Sequence, residues 1–192
     1  MKHTPWRALC AAAVFAIAGL ASAAEPMAKL VPGQGHIGFV SKQMGVPVEG
    51  QFKTFDAQIA FDPHKPEGGT VALQIDLASA TLGVPQSDAE LPKAPWFDTA
   101  RFPKAGFQSR TIKALGDGRF EVAGKLTIKG ITQELVVPVT LTQSYGQTVA
   151  TGSFTIQRLA FKIGEGEWTD TSMVSDEVQV RFKLVLTGLR PL

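Results

Sequence analysis

The 192-residue chain is poor in the residues that usually carry chemistry. Its single cysteine, Cys10, lies in an apolar run near the N-terminus. Once that run is removed no thiol remains, which excludes a disulfide framework, a cysteine nucleophile and a thiolate metal site. Two histidines then remain, His36 and His64, with no partner at a metal-ligand spacing. Charge of one sign is lacking too. Lys2 and Arg7 account for two of the 19 basic residues, so the rest of the chain carries 17 basic against 17 acidic residues. A neutral balance argues against nucleic acid as a partner and gives no sign of strong attraction to an anionic surface. There is no Walker loop, no dinucleotide fingerprint and no nucleophile elbow around Ser41, Ser79 or Ser109. Gly164-Glu165-Gly166 reads as a loop bend, and Glu165, Glu167 and Asp170 as a solvated rim that fits no calcium loop.

What the N-terminus does have is an export signature. Lys2 and Arg7 precede the apolar run Ala8 to Leu20, and Ala21-Ser22-Ala23 supplies small residues at a cleavage site. The run is too short for a transmembrane anchor. Residues 1–23 are therefore expected to be a cleaved signal peptide, and 24–192 one exported domain. Without a disulfide, that domain must be held by its core.

The chain is organised around Gly106 to Leu141, which reads as three consecutive antiparallel strands. From Phe120 to Lys129 the residues Phe, Val, Gly, Leu and Ile alternate with Glu, Ala, Lys, Thr and Lys. Strand side chains point alternately to opposite faces, so one face is apolar and the other wet. Gly116-Asp117-Gly118 and Lys129-Gly130 are turn chemistry. The next strand, Gln133 to Thr142, aligns Leu135, Val137, Val139 and Leu141.

The same alternation places further strands on either side. Ala24 to Gly35 reads as a loose lead-in, and His36 to Met44 as the first strand, with Ile37 and Phe39 on one face. The second, from Val48 to Phe61, slips between Phe52 and Phe55, where a bulge or bend is expected, and then aligns Ala57, Ile59 and Phe61. Thr70 to Ser79 aligns Val71, Leu73, Ile75 and Leu77. Val149 to Leu159 aligns Phe154 and Ile156, and Glu177 to Thr187 aligns Val178, Val180, Phe182, Leu184 and Leu186.

Two segments break the pattern. Thr81 to Pro103 is long and proline-rich, with a capping-box spacing at Ser87–Glu90, so a short helical insert near 87–97 is expected within a lid over one end of the sheet. Phe161 to Ser175 is glycine-rich and holds Trp168, which with Trp96 reads as a plug for a barrel end more readily than as a sugar platform. The total is roughly eight strands with one wet face. An up-and-down barrel closes such a set without an exposed edge. A two-sheet sandwich satisfies the same pattern. Gly38, Gly50, Gly124 and Gly152 inside strands mark tight coiling, corners or a close-lying ligand.

Three stretches together resemble the YceI-like family, also described as polyisoprenoid-binding proteins. They are Val48 to Asp56; Asp88 to Leu91 leading through Trp96-Phe97-Asp98 and Arg101-Phe102-Pro103 to Phe107-Gln108-Ser109; and Gly124 to Thr132. The resemblance implies an all-β fold, an extended eight-stranded antiparallel barrel of lipocalin-like shape, in the periplasm. It also implies an apolar tunnel for an isoprenoid quinone or a polyprenyl phosphate. From the residues themselves no catalytic group, metal or cofactor is expected. Many members carry His-Leu-Gly at the end of the first strand, where this chain has Gln43-Met44-Gly45. The Gly-Glu-Gly-Glu-Trp loop is similar to a branch associated with cytochrome b561-type membrane proteins.

On this reading the lipid-binding residues are the inward apolar ones. They are Ile37, Phe39, Phe52 and Ile59 from the first two strands and Leu73 and Ile75 from the third. Phe107, Val122, Leu126, Ile128 and Val137 follow from the central meander, and Phe154, Ile156, Val180 and Phe182 from the last two strands. Gln43, Arg101 and Arg110 are head-group candidates, and Ser41, Ser109 and Gly124 are small or polar positions bounding the tunnel. Beside the lipid, the partners considered are a cytochrome b561-type protein, for which the chain would be a non-enzymatic docking module, and a second copy of the chain. A hydrolase or isomerase fits least, because no constellation of catalytic groups is present.

Overall fold

The computed structural model describes residues 27–192, so the leader expected at 1–23 lies outside the described residues. The strands are β1 (Met27–Leu30), β2 (His36–Gln43), β3 (Val46–Phe52), β4 (Phe55–Ala60), β5 (Thr70–Asp76), β6 (Ala80–Thr81), β7 (Lys104–Gly116), β8 (Arg119–Ile128), β9 (Ile131–Ser144), β10 (Gln147–Gln157) and β11 (Glu177–Thr187). One α-helical turn, α1, spans Pro85–Asp88.

These segments close into an eight-stranded antiparallel barrel. β1 and β2 together form one wall strand, β3 and β4 the next, and β5 and β6 the third, followed by β7 to β11 singly. β11 bonds to β10 on one side and to both β2 and β1 on the other. β2 bonds to β3 and β1 to β4, which shuts the ring and leaves no free edge between the first and last strands.

Ala24 to Gly35 was expected to be a loose lead-in, and here the structure differs. Met27–Leu30 is the strand that seals the barrel, pairing Lys29 with Thr187 and Ala28 with Ile59. Four residues, three of them apolar, are too short a run for alternation to reveal.

The bend expected between Phe52 and Phe55 is present. It coincides with a second bend between β5 and β6, and the two support each other. Ser79 accepts the Lys53 and Thr54 N–H groups through its carbonyl and hydroxyl, at 3.2 and 3.0 Å, and Thr54 O accepts Asp76 N–H at 3.0 Å. Backbone groups that leave the ladder at the corner therefore keep partners. Four hairpins turn on two residues with positive φ and glycine second: Met44-Gly45, Asp117-Gly118, Lys129-Gly130 and Tyr145-Gly146. That is the turn whose twist matches antiparallel strands.

The helical insert starts earlier than the capping-box spacing indicates. Pro85 takes a first-turn position and Ser87 makes no cap. Asp88 is instead drawn to Thr81 Oγ1 at 2.6 Å and Leu82 N–H at 2.6 Å. These hydrogen bonds hold its carboxyl below the usual carboxylate range.

Strand glycines make room for the protein's own aromatic rings. A Cβ on Gly124 would collide with the Gln108 carbonyl oxygen and the Phe107 ring, and one on Gly152 with the Phe182 ring.

Candidate functional site

Inward alternation fills the barrel wall with hydrocarbon. β8 is the clearest strand, with Phe120, Val122, Gly124, Leu126 and Ile128 buried and their neighbours more exposed. Such faces from every wall strand surround a cavity whose lining side chains are all hydrocarbon, including Ala57, Val71, Ile112 and Leu184. Its free volume is about 140 Å³. A hollow without polar partners holds water poorly and suits an apolar guest. No titratable side chain lines it.

One end of the barrel is solid. Leu91 and Phe97 from the 82–103 connection pack with Phe161 and Ile163 from the loop after β10, over Leu126 and Ile128. The Phe52 ring lies 5.4 Å from Phe39 and 5.8 Å from Phe97. Trp96 and Trp168 meet at 5.4 Å and join the two lid segments, but both are half-exposed and neither lines the hollow.

Two buried cations fasten this lid. Lys129, at the positive-φ turn between β8 and β9, donates to Ala94 O at 3.0 Å, Lys162 O at 2.6 Å and Glu165 Oε2 at 3.0 Å. The hydrogen bond and charge of Lys129 hold the Glu165 carboxyl below its usual range. Arg158 is 1% exposed and donates to five carbonyls, those of Ser175, Ile163, Gly164, Trp168 and Val174. Burial pulls its pKa down, opposed by Asp176. Among the described residues no group of three His, Cys, Asp or Glu side chains could hold a metal ion, and no helix is long and apolar enough to cross a membrane.

The YceI-like domain family matches residues 29–186, the whole of this barrel from its sealing strand to the end of β11. The chain belongs to the YceI-like domain family. This YceI-like chain is 43% identical to BcnA of Burkholderia cenocepacia, whose crystal structure superposes with a TM-score of 0.79 over 82% of this chain and 99% of that one. A structure described as a polyisoprenoid binding domain from Saccharophagus degradans, implicated in plant cell wall breakdown, matches with a TM-score of 0.68 at 16% identity, over 86% of this chain and 99% of that one. At that identity the likeness is one of fold. UPF0312 proteins of Pseudomonas savastanoi pv. phaseolicola and Photorhabdus laumondii are 30% and 32% identical, over 48% and 56% of both chains. The chain thus spans about half the length of the curated relatives it matches.

Of the residues singled out from the sequence, the YceI-like barrel places Ile37, Ile59, Leu73, Ile75, Phe107 and Val122 on the cavity wall, with Leu126, Val137, Phe154, Val180 and Phe182. Phe39, Phe52, Ile128 and Ile156 do not line it. They also face inward, but Phe52, Ile128 and Ile156 pack into the solid lid-end core, and Phe39 stacks on Phe52.

The head-group candidates stand apart from the hollow. Arg110 lies on the outer wall, paired with Glu134 at 3.0 Å. Arg101 is exposed at the lid end, beside Asp98 at 3.5 Å and over the Phe102 ring. Gln43 is exposed at the tip of β2, where it bridges Val174. Ser109 Oγ accepts from Val71 N–H at 2.8 Å and is a tie between strands. His36 and His64 are exposed, as expected.

Sequence reasoning missed Ile112, Ala150 and Leu189 on the wall, and Lys129 and Arg158 in the lid. Ala150 shares the apolar face of Phe154 and Ile156 in the alternation. Leu189 lies beyond the last strand, where alternation gives no signal.

Proposed function

We propose that this YceI-like protein binds a long-chain isoprenoid lipid, such as an isoprenoid quinone or a polyprenyl phosphate, in its barrel and carries it through the periplasm after export. The observation that carries this reading is the hydrocarbon lining of the hollow. Burying an apolar chain is favourable by about 25 cal/mol per Å². A few hundred Å² therefore contributes several kcal/mol, from which ordering costs are subtracted. The neighbour from Saccharophagus degradans, described as a polyisoprenoid binding domain, is in keeping with it. So is the leader at 1–23, which would deliver the chain to the periplasm. The role is binding rather than catalysis, because an enzyme would need reacting groups facing its substrate and this wall supplies none.

The test is a titration of delipidated protein with prenyl alcohols of increasing length. Affinity rises with each isoprene unit and levels off once the chain outgrows the hollow. Equal affinity for short and long chains, or none for either, would contradict the reading.

A further inference from the structure

The two ends of the barrel are built differently, and the difference assigns the entrance. At the lid end no residue of the 82–103 connection or of the loop 158–176 reaches the cavity wall. A continuous apolar core, held by the buried Lys129 and Arg158, lies between the hollow and solvent there. At the other end the wall residues outside the strands are Phe61 and Leu189. Leu189 belongs to a short segment, Gly188 to Leu192, that follows β11 and crosses this end without joining the sheet.

What holds that segment is sparse and polar. Arg190 Nη1 donates to the buried carboxylate of Asp62 at 2.7 Å, although the Arg190 side chain is 57% exposed. Gln143 Nε2 donates to Arg190 O at 2.7 Å, and Gln143 Oε1 accepts Leu192 N–H at 2.9 Å. Gly188 sits at φ +89°, in the left-handed region, and a Cβ there would lie 2.9 Å from Met27 O. The chain therefore turns sharply off β11 at a residue that tolerates the turn. One apolar plug, one ion pair and one glutamine make a closure far lighter than the lid.

We propose that residues 188–192 form a latch over the tunnel entrance, and that an isoprenoid chain enters and leaves at this end. The proposal rests on the lipid-binding reading above. Swinging the segment about Gly188 withdraws Leu189 from the wall and opens the hollow, while the lid stays shut. The ion pair and the Gln143 contacts set the cost of opening. Weakening them speeds entry and exit together and leaves the affinity nearly unchanged, because the bound state keeps the same walls.

Stopped-flow fluorescence with N-phenyl-1-naphthylamine, an apolar dye that brightens out of water, reads both rates on the full exported chain. Arg190→Gln and, as an independent variant, Asp62→Asn are compared with Lys129→Met at the lid, each checked for its melting transition. The latch predicts association and dissociation about tenfold faster in both latch variants, as expected for losing a charged hydrogen bond worth about 1.4 kcal/mol. It predicts a Kd within threefold of the parent, and parental rates in Lys129→Met. Dye binding with unchanged rates in both latch variants, or faster exchange in Lys129→Met alone, overturns the latch and leaves lipid binding standing. Failure of the dye and of prenyl alcohols to bind any variant overturns both.

Discussion

Ala150 lies on β10 between Leu141 of β9 and Leu184 of β11, with its methyl group on the cavity wall. Replacing it with leucine adds three carbon groups to that face. If they enter free space, their burial contributes about 0.8 kcal/mol each, roughly 2.4 kcal/mol together. In an interior already filled, the same atoms would cost about 1–3 kcal/mol through displaced neighbours. The sign of the change thus separates a hollow from a packed core. For Ala150→Leu the expected result is a lipid-free protein stabilised by about 1 kcal/mol, after some loss to imperfect fit, with a melting temperature up by about 2–4 °C. The same three groups occupy space the lipid would use, so prenyl affinity falls by roughly 50-fold, the equivalent of about 2.4 kcal/mol. Denaturant unfolding of the lipid-free protein and titration with a long prenyl alcohol measure the two effects. Destabilisation by about 1 kcal/mol or more, together with unchanged affinity, would mean that the interior beside Ala150 is already filled.

Other perturbations address the lid and the wall. Lys129→Met orphans the carbonyls of Ala94 and Lys162 and is expected to cost about 2–3 kcal/mol in denaturant unfolding. The Glu165 carboxyl is held below its usual value of 4.5 by Lys129. Its contribution to stability is therefore fully present above that pH and lost as pH falls through the lowered folded value. The melting temperature of the parent should exceed that of Glu165→Gln at pH 7, and the gap should close as acidification passes the lowered folded value. Arg158→Met leaves five carbonyls without their donor and should cost about 3–5 kcal/mol, with faster amide exchange concentrated in 158–176. Gly124→Val drives a side chain into the Gln108 carbonyl and the Phe107 ring, and should destabilise the β7–β8 pairing enough to lower the melting temperature by several degrees.

Much of this architecture is legible in the sequence because a barrel wall repeats one rule. The alternation in β8 and β11, the slip at Phe52–Phe55 and the glycine-containing turns each report a local preference that the closed sheet preserves. β1 was not legible, since its four residues matter only through their pairing with both β4 and β11. The division of inward residues was not legible either. Alternation assigns Ile128 and Leu126 to the same face, but only tertiary packing sends Ile128 against the lid and leaves Leu126 also at the hollow. Lys129 falls on the wet side of the alternation and Arg158 attracts no reading at all, because nothing local signals that distant carbonyls converge on them. Arg110 and Arg101 drew attention as cations near the tunnel, whereas their partners Glu134 and Asp98 occupy them at the surface.

The central claim is that the barrel holds a lipid chain, and native mass spectrometry of the protein purified from its own envelope, without detergent or heating, addresses it directly. One additional mass per chain is expected, lost on unfolding and identified in the organic extract as a long isoprenoid. A bare polypeptide mass, persisting after incubation of the folded protein with prenyl lipids, would contradict it.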